Sequence, residues 1–444
     1  MAAVNSSLTT ISGLFRRKYT DLSDVLPKGF PMQECVKVAT GVKDGESIQV
    51  GVQLSHENGV SFAGSDSAIT FNDAQSGVIK QASINSVEQF VSTGILTSAL
   101  SKAANQGEQA FEAATKNRVA ANIKSHMRFR EHVMLYGRDA GGIGRVSYSD
   151  ATFRGVDFTD GTGTIGGITF TNGVNVTSKH ILLNPDDIAS GLWLGSEGLE
   201  VQQIITSSGA VADSGSAAGK VVSVDIRNGI VKVDFTPVAA TGESSHHLAL
   251  IGQTSSLEMI GAKKILTNTG SLFGIDASVY SLWAGSNKAI TGKLTFEKLT
   301  SAIEEACDMG LDRDVEVQVP FETWSDLLNE QSALRDYDSS YDPSKVSNGA
   351  EKIEFYFVNG KIRVVPNRFV RRSEVFILAD NDWNLYGAAT DIGMKVPGAD
   401  GEDLIVQPIT SNVYTFRSYS ASQVFCHAPR RSLLLTGINP EATS

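Results

Sequence analysis

Cysteine is scarce in this chain of 444 residues, and its three cysteines, Cys35, Cys307 and Cys426, lie far apart. An odd number of cysteines without C-x-x-C spacing predicts neither a disulfide framework nor a zinc site, and it is consistent with a reducing compartment. No segment approaches the roughly 18 consecutive apolar residues of a membrane span. The N-terminus also lacks a positive region followed by an apolar run. We therefore expect no membrane segment and a protein made and used in cytoplasm.

Positive charge is also in deficit, with 38 Lys and Arg against 49 Asp and Glu and a formal net charge of -11. Neutralising phosphates requires a basic face, so this balance argues against a protein that wraps nucleic acid. An acidic balance does suit a container that holds a polyanion without adhering to it. The length and the apolar fraction of 41% indicate a soluble globular chain of two or three domains.

Two glycine-rich runs resemble ligand-binding loops, but neither matches a complete motif. The run 215–220 has too few residues between its glycines for a phosphate loop, and Val221 stands where Ser or Thr is required. The run 141–144 follows a helical pattern and not a strand, which excludes a dinucleotide loop. Asp186 and Asp187 are interpreted as helix caps and not as paired catalytic carboxylates. No nucleophile elbow occurs.

The histidines show no metal-binding pattern. His126, Glu131 and His132 lack the i, i+4 histidine pair of a zinc protease. His246 and His247 are interpreted as an exposed loop. We therefore predict a chain that is not an enzyme and has no catalytic, metal or cofactor site, although catalytic residues far apart in sequence would escape this reasoning.

The stretch 295–385 predicts a complete α+β unit. Thr295 can cap a helix that ends at Gly310. The apolar side of that helix consists of Phe296, Leu299, Ile303 and Ala306. A strand over 315–319 and a helical pattern over 321–328 follow. Trp324, in the second helix, is expected in the core.

A polar loop over 335–343 separates that helix from a hairpin. The segments 353–358 and 362–366 flank Asn359-Gly360, the strongest short hairpin signal in a sequence. One further strand is predicted over 374–378.

This order of elements resembles the axial domain of tailed-bacteriophage major capsid proteins, which have the Hong Kong 97 type or Johnson fold. Two local sequences contribute to the resemblance: Leu334-Arg335-Asp336-Tyr337-Asp338 in the loop, and Val364-Val365-Pro366-Asn367 after the hairpin. The resemblance implies an N-terminal arm, an extended loop, a long spine helix, and peripheral and axial domains.

The N-terminal part matches that order. Residues 1–35 are interpreted as an extended arm, with a frayed terminus as the alternative. The segment 47–54 alternates and places Ile48, Val50, Val52 and Leu54 on one face of a strand. Asn58-Gly59 is expected to turn this strand towards Val60 and Phe62. The resemblance implies that this loop covers a neighbouring subunit, and the alternative is that it covers its own domain.

Two helices are predicted next. Ser86-Val87-Glu88-Gln89 has a capping-box pattern for a helix that would bury Phe90, Val91, Ile95 and Leu100. The run 108–136 lacks Pro and Gly and would form a helix about 40 Å long. Its apolar stripe is narrow, which predicts a helix lying across a surface. This matches the spine helix of the capsid family, and a lone surface helix in an unrelated α+β protein is the alternative.

Residues 138–260 predict antiparallel β structure, with turns at Asn172-Gly173 and Asn228-Gly229. The region exceeds the peripheral strands that most capsid proteins need, so an inserted β module is one interpretation. The segments 413–416 and 433–435 are strand-like and are expected to close the sheet begun much earlier.

The predicted fold class is therefore α+β, of the Hong Kong 97 capsid type. The predicted divisions are an arm (1–35), an extended loop (36–85), helices including the spine helix (86–137), a peripheral β region (138–260), an axial domain (261–410) and return strands to the peripheral domain (411–444).

The predicted function is that of a major capsid protein that forms pentamers and hexamers of an icosahedral shell around double-stranded DNA, located in the virion and assembled in the host cytoplasm. Scaffolding, portal and decoration proteins are candidate partners. The alternatives are an encapsulin-like compartment and a β-rich carbohydrate-binding or hydrolytic virion protein. Candidate assembly residues are Ile48, Val50, Val52, Leu54, Arg128, Arg130, Arg335 and Asp338, and candidate DNA-facing residues are Arg16, Arg17 and Lys18.

Overall fold

A computed structural model of the chain describes most of the sequence. The described residues are 29–39, 42–44, 47–62, 71, 73, 76–96, 108–139, 142–146, 152–153, 156–157, 162–205, 217–239, 246–250, 257–333, 353–357, 360–393, 405–406 and 413–439.

Six α-helices occur in these ranges. They are α1 (Pro31–Cys35), α2 (Glu108–Tyr136), α3 (Ser190–Trp193), α4 (Ala262–Leu266), α5 (Phe296–Asp308) and α6 (Phe321–Ala333). The start of α5 is confirmed, since the side-chain oxygen of Thr295 accepts a hydrogen bond from the amide of Lys298. Gly310 follows the end of α5 and has a φ of +101°, a backbone conformation that residues with a side chain rarely adopt.

The strands of the described ranges form three larger and three smaller sheets. The strands are β1 (Lys37–Val38), β2 (Val42–Asp44), β3 (Ser47–Gln53), β4 (Ile79–Asn85), β5 (Val87–Leu96), β6 (Gly144–Arg145), β7 (Thr152–Phe153), β8 (Val156–Asp157), β9 (Thr162–Ile165), β10 (Ile168–Thr171), β11 (Val174–Asn175), β12 (His180–Leu182), β13 (Glu200–Ile205), β14 (Ala218–Asp225), β15 (Ile230–Val233), β16 (His246–Leu250), β17 (Ser271–Leu272), β18 (Ile275–Asp276), β19 (Asn287–Gly292), β20 (Val315–Val319), β21 (Ile353–Phe357), β22 (Gly360–Pro366), β23 (Val375–Ala379), β24 (Trp383–Gly393), β25 (Ile405–Val406), β26 (Val413–Cys426) and β27 (Leu433–Ile438).

The six-stranded sheet has the order β19-β27-β23-β20-β22-β21 and packs with α5 and α6 around one hydrophobic core. All five residues of β20 are buried, because the strand lies in the middle of a sheet that is covered on both faces. Trp324 of α6 is only half-buried at the edge of this core, so the expectation of a core position is wrong. Leu327, one turn further along α6, is fully buried instead.

The hairpin in this sheet is confirmed, with β21 and β22 antiparallel from Ile353 opposite Val364 to Phe357 opposite Gly360. Gly360 therefore begins the second strand and is not the second residue of the turn. β27 pairs with β19 and β23, so the final strand belongs to this sheet and not to the peripheral one predicted for it. Its residues Leu433, Leu434 and Leu435 are fully buried there.

The predicted helix after Ser86 is wrong, because the segment is the strand β5. It pairs with β26 at ten consecutive positions, from Val87 opposite Ser422 to Leu96 opposite Val413. This long pairing satisfies the backbone groups that the capping pattern would have satisfied locally. The predicted return of 413–416 to an earlier sheet is thereby confirmed. Leu100 lies outside the described residues.

The nine-stranded sheet has the order β6-β16-β13-β14-β15-β12-β11-β10-β9, and all of its pairings are antiparallel. The predicted two-residue turn at Asn172-Gly173 is confirmed, since both residues have positive φ and Thr171 pairs with Val174. The turn at Asn228-Gly229 is confirmed within a longer loop, which runs from Asp225 to its partner Ile230.

The long helix α2 has the predicted bounds, but its C-terminal part lies inside the core and not across a surface. Every residue from Glu131 to Tyr136 is at most 8% exposed. Helices α1, α3 and α4 and the strands β5, β24 and β26 pack around α2. Further towards the N-terminus, Ala120 and Ala121 are exposed, as the surface prediction requires.

The strands β3 and β4 form a ribbon whose connection is much longer than the predicted Asn58-Gly59 turn. β3 pairs with β4 over seven positions, and the Leu54 amide donates to the Val78 carbonyl at 2.8 Å. Val60 and Phe62 therefore belong to the connection and not to the partner strand. The predicted alternation in β3 is confirmed, since Ile48 and Val52 are buried and Gly51 and Gln53 are exposed.

The N-terminal segment is described only from residue 29. The predicted extended conformation does not hold for its last residues, since Pro31–Cys35 form α1 with Pro31 at the first helical position. Within the described residues, no helix is both long and apolar enough to cross a membrane.

Candidate functional site: a buried ionic joint and the assembly surfaces

Arg371, which lies between β22 and β23, is the centre of a buried ionic joint. Its side chain is 1% exposed, and its guanidinium contacts Asp139 at 2.8 Å and Asp187 at 3.6 Å. A second nitrogen donates to the Gly142 carbonyl at 2.8 Å. The guanidinium also lies 4.1 Å from the ring centre of Tyr136, and the Arg371 amide donates to the Tyr136 hydroxyl at 2.9 Å.

Three further charges complete the joint. Lys263 of α4 contacts Glu374 at 2.8 Å and Asp139 at 3.2 Å. Arg145 of β6 donates two hydrogen bonds to Asp187, at 2.5 and 3.0 Å. The joint therefore balances three basic groups against three carboxylates, which is what buried charges require.

The electrostatics of the joint follow from this balance. Burial by itself would raise the pKa of Asp139, but the charges of Arg371 and Lys263 outweigh burial and lower the pKa to about 2. The pKa of Asp187 is lowered for the same reason, with Arg371 and Arg145 opposing burial. Both acids are therefore ionised near neutral pH.

The joint connects the end of α2, the nine-stranded sheet, α4 and the loop between β22 and β23 of the six-stranded sheet. It fixes how these units meet, and it was missed from the sequence because its members are far apart along the chain. The interpretation of Asp187 as a helix cap is wrong. Pro185–Asp187 is a 3-10 turn, and the carboxylate of Asp187 is 1% exposed within the joint.

Four of the described histidines, His126, His132, His246 and His247, are buried within the fold. His246 and His247 are buried in β16, so the prediction of an exposed loop is wrong. The ring nitrogens of His126 lie 2.8 Å from the hydroxyls of Ser418 and Ser420 on β26. Among the described residues, no three His, Cys, Asp or Glu side chains form a group that could hold a metal.

The predicted assembly face of β3 is covered by the chain itself. Ile48, Val52 and Leu54 are at most 8% exposed and share one core with Phe273. Val50 is partly buried against the same core. The prediction that this face contacts a neighbouring subunit is therefore wrong, and the alternative interpretation, in which the ribbon covers its own chain, is correct for this face.

The two other predicted assembly residues that the structure describes, Arg128 and Arg130, both contact their own chain. Arg128 donates to the carbonyls of Leu194 and Gly195, at 3.1 and 3.2 Å. Arg130 donates to the Thr390 carbonyl at 2.7 Å and to the side chain of Gln33. Both guanidinium groups thus bind their own chain. Arg335 and Asp338, and the predicted DNA-facing residues Arg16, Arg17 and Lys18, lie outside the described residues.

An exposed apolar surface does occur on the ribbon, in the connection between its strands and at the start of β4. We call it the ribbon tip, and it consists of Val60, Phe62, Phe71 and Ile79, which are 57%, 92%, 76% and 69% exposed. These four side chains are the large exposed apolar groups in the described part of 47–85, and exposed apolar surface is a candidate for contact with another molecule.

The fold can be compared with known structures. No protein-family model and no curated protein sequence matches the chain. The structure is similar to a chain of the cyanophage A-1(L) capsid asymmetric unit, with a TM-score of 0.53 and 11% sequence identity over 94% of this chain and 95% of that one. At that identity the similarity shows the fold alone. The chain thus has a mixed helix and strand fold similar to that of a phage capsid chain, which confirms the α+β part of the predicted fold class.

Two further similarities are weaker. The capsid of the native GTA particle gives a TM-score of 0.45 and 10% identity over 98% of this chain and 100% of that one. The holo-SrpI encapsulin complex from Synechococcus elongatus gives 0.40 and 6% over 96% of both chains. TM-scores below 0.5 add no argument about fold or function.

Proposed function

We propose that this chain is the major capsid protein of a tailed bacteriophage, which associates with copies of itself into the pentamers and hexamers of an icosahedral shell around double-stranded DNA. The observation that supports this most is the similarity of fold to a cyanophage capsid chain over nearly the full length of both chains. In this role the protein acts by association and not by catalysis. Contacts with packaged DNA would be made to the phosphate backbone and would carry no base specificity.

The ribbon tip is the proposed contact between subunits on this part of the molecule. The buried face of β3 anchors the ribbon to its own chain, which leaves Phe62 and Phe71 as the large apolar groups available to a neighbour. Full burial of one such side chain contributes on the order of 2 kcal/mol. Repeated at every subunit of a closed shell, a small contact of this kind becomes a large driving force.

Assembly of the purified chain tests the proposal. Negative-stain microscopy of the wild type should show closed shells, and nucleic acid inside particles from infected cells would separate a phage capsid from a protein-filled compartment. A chain that stays a small oligomer and binds glycans would contradict the proposal.

A double variant tests the ribbon tip. Phe62→Asp with Phe71→Asp should leave the circular dichroism spectrum unchanged, because both side chains are exposed, and should prevent shell formation. Val279→Asp, at a position that is 67% exposed elsewhere, is the matched control and should still assemble. Normal shells from the double variant would exclude the ribbon tip as a subunit contact.

A further inference from the structure

The sequence contains five Asn-Gly pairs, and the structure describes both residues of three of them. These three are Asn58-Gly59 between β3 and β4, Asn172-Gly173 between β10 and β11, and Asn228-Gly229 between β14 and β15. In such a pair the backbone nitrogen of the glycine can attack the side-chain carbonyl carbon of the asparagine, because glycine has no side chain to cover that nitrogen. The attack requires rotation about the Cα–C bond of the asparagine, so it depends on how firmly the local backbone is held.

The pair Asn172-Gly173 is held by the sheet. The two residues have φ values of +49° and +76°, in a turn closed by Thr171 opposite Val174. The Gly173 carbonyl also accepts a hydrogen bond from the Leu182 amide at 2.7 Å. Rotation about the backbone of Asn172 would break this turn.

The pair Asn228-Gly229 is held by its own loop and by a neighbouring segment. The backbone and side-chain nitrogens of Asn228 donate to the two carboxylate oxygens of Asp225, at 3.2 and 2.7 Å. Gly229 is buried, and its carbonyl accepts a hydrogen bond from the Leu183 amide at 2.8 Å. Both the side chain and the backbone of this pair are therefore fixed.

The pair Asn58-Gly59 is held much less. Both residues are exposed. The Asn58 carbonyl accepts a hydrogen bond from the Val60 amide at 3.0 Å. Within the described part of the chain, neither the Asn58 side chain nor the Gly59 amide makes a hydrogen bond. The attacking nitrogen and the carbon that it attacks are thus both accessible, and one exposed turn opposes the rotation.

We propose that Asn58 is a site of spontaneous covalent modification, at which a neutral side chain becomes a carboxylate with time. The Gly59 nitrogen loses its proton, and its electron pair forms a bond to the Cγ of Asn58. The side-chain nitrogen of Asn58 leaves with the electron pair of the broken C–N bond, takes up a proton and departs as ammonia. The cyclic succinimide then adds one water molecule and opens to aspartate or isoaspartate at position 58.

The new charge lies next to the ribbon tip, since Val60 and Phe62 follow Asn58 by two and four positions. Contact of the tip with a neighbouring subunit would bring this carboxylate towards an apolar surface, which is unfavourable when the charge has no partner. Conversion therefore weakens association between subunits. This consequence rests on the proposed function, whereas the conversion itself does not.

Peptide mapping by mass spectrometry tests the conversion in the full-length chain. After incubation in mildly alkaline buffer, the peptide that contains position 58 should accumulate aspartate and isoaspartate. The rate should be lower in mildly acidic buffer, because the attacking nitrogen must lose a proton. Asn172 and Asn228 are internal controls, and the loss of one hydrogen bond on the way to the reactive geometry should slow each of them about tenfold relative to Asn58.

Unfolding separates the effect of structure from that of sequence. In concentrated urea the turns around Asn172 and Asn228 are lost, so the three rates should become similar. Equal rates in the folded chain overturn the proposal, as does an absence of conversion at Asn58. A difference that persists unchanged in urea also overturns it, because the folded backbone would then not be the cause.

Variants test the chemistry and its consequence separately. Gly59→Ala covers the attacking nitrogen with a methyl group, and Gly59 is not among the glycines with positive φ, so the variant should fold normally and convert more slowly. Asn58→Asp supplies the product charge from the start and should raise the subunit concentration needed for shells about tenfold. Asn58→Gln stays neutral and should assemble like the wild type.

Two outcomes distinguish this proposal from the proposed function. Equal assembly of Asn58→Asp and Asn58→Gln overturns the effect on association. A wild type that forms no shells contradicts the proposed function and with it this effect, and the mass spectra then decide the conversion by themselves.

Discussion

Replacing Arg371 with methionine should destabilise the subunit strongly. Methionine keeps the apolar length of the side chain but removes the positive charge at the centre of the ionic joint. Asp139 and Asp187 would remain buried with less compensation, while Lys263 and Arg145 keep their contacts. Removal of one partner from a buried ion pair typically costs about 3–5 kcal/mol, and we expect a loss in that range.

The pH dependence of this loss provides an internal check. The pKa of Asp139 is lowered from 3.8 to about 2, which corresponds to roughly 2 kcal/mol of stability. Because the native pKa lies below the unfolded one, this contribution is complete above pH 3.8 and is lost as the pH falls towards 2. The difference between wild type and Arg371→Met should therefore be largest near neutral pH and should shrink on acidification.

Urea unfolding of the unassembled subunit is the assay, followed by the fluorescence of the buried Trp193, Trp283 and Trp383. The matched control is Arg417→Met, because Arg417 is exposed on β26 and its replacement should change stability by no more than about 0.5 kcal/mol. A loss of less than about 1 kcal/mol in Arg371→Met, or equal losses in the two variants, would refute the assignment of a stabilising ionic joint.

Two further substitutions test the packing. Leu54→Asp places a charge in the subunit core, so it should prevent folding or sharply lower the thermal midpoint measured by circular dichroism. A variant that folds normally and only fails to assemble would instead support a subunit contact at this face. Trp324→Ala should lower the free energy of unfolding by less than Leu327→Ala does, because Trp324 is half-buried and Leu327 is fully buried. For Leu327→Ala we expect a loss of about 2–5 kcal/mol. Urea midpoints in the reverse order would contradict this.

Local signals in the sequence were sufficient for several elements. The Thr295 cap and Gly310 predicted the ends of α5, and the run without Pro or Gly predicted the bounds of α2. Asn172-Gly173 predicted a turn with positive φ at both residues. Each of these signals depends on backbone preferences within a few residues, so it acts in the same way whatever the rest of the chain does.

Partners distant in sequence explain the failures. The residues from Val87 form a strand because β26, more than three hundred positions later, lies beside them. Asp187 is ionised and buried because Arg371 compensates its charge. The apolar face of β3 was recognised, but the pattern could not show whether the same chain or a second copy covers it.

The sequence by itself determined the α+β class, the long helix and the turns, because the period of apolar residues and the preferences of turn residues depend only on neighbouring positions in the chain. Tertiary structure decided which strands pair, which charges are buried together and which apolar groups stay exposed. These outcomes depend on contacts between distant segments, and the free energy of such contacts is set only when the chain has brought them together.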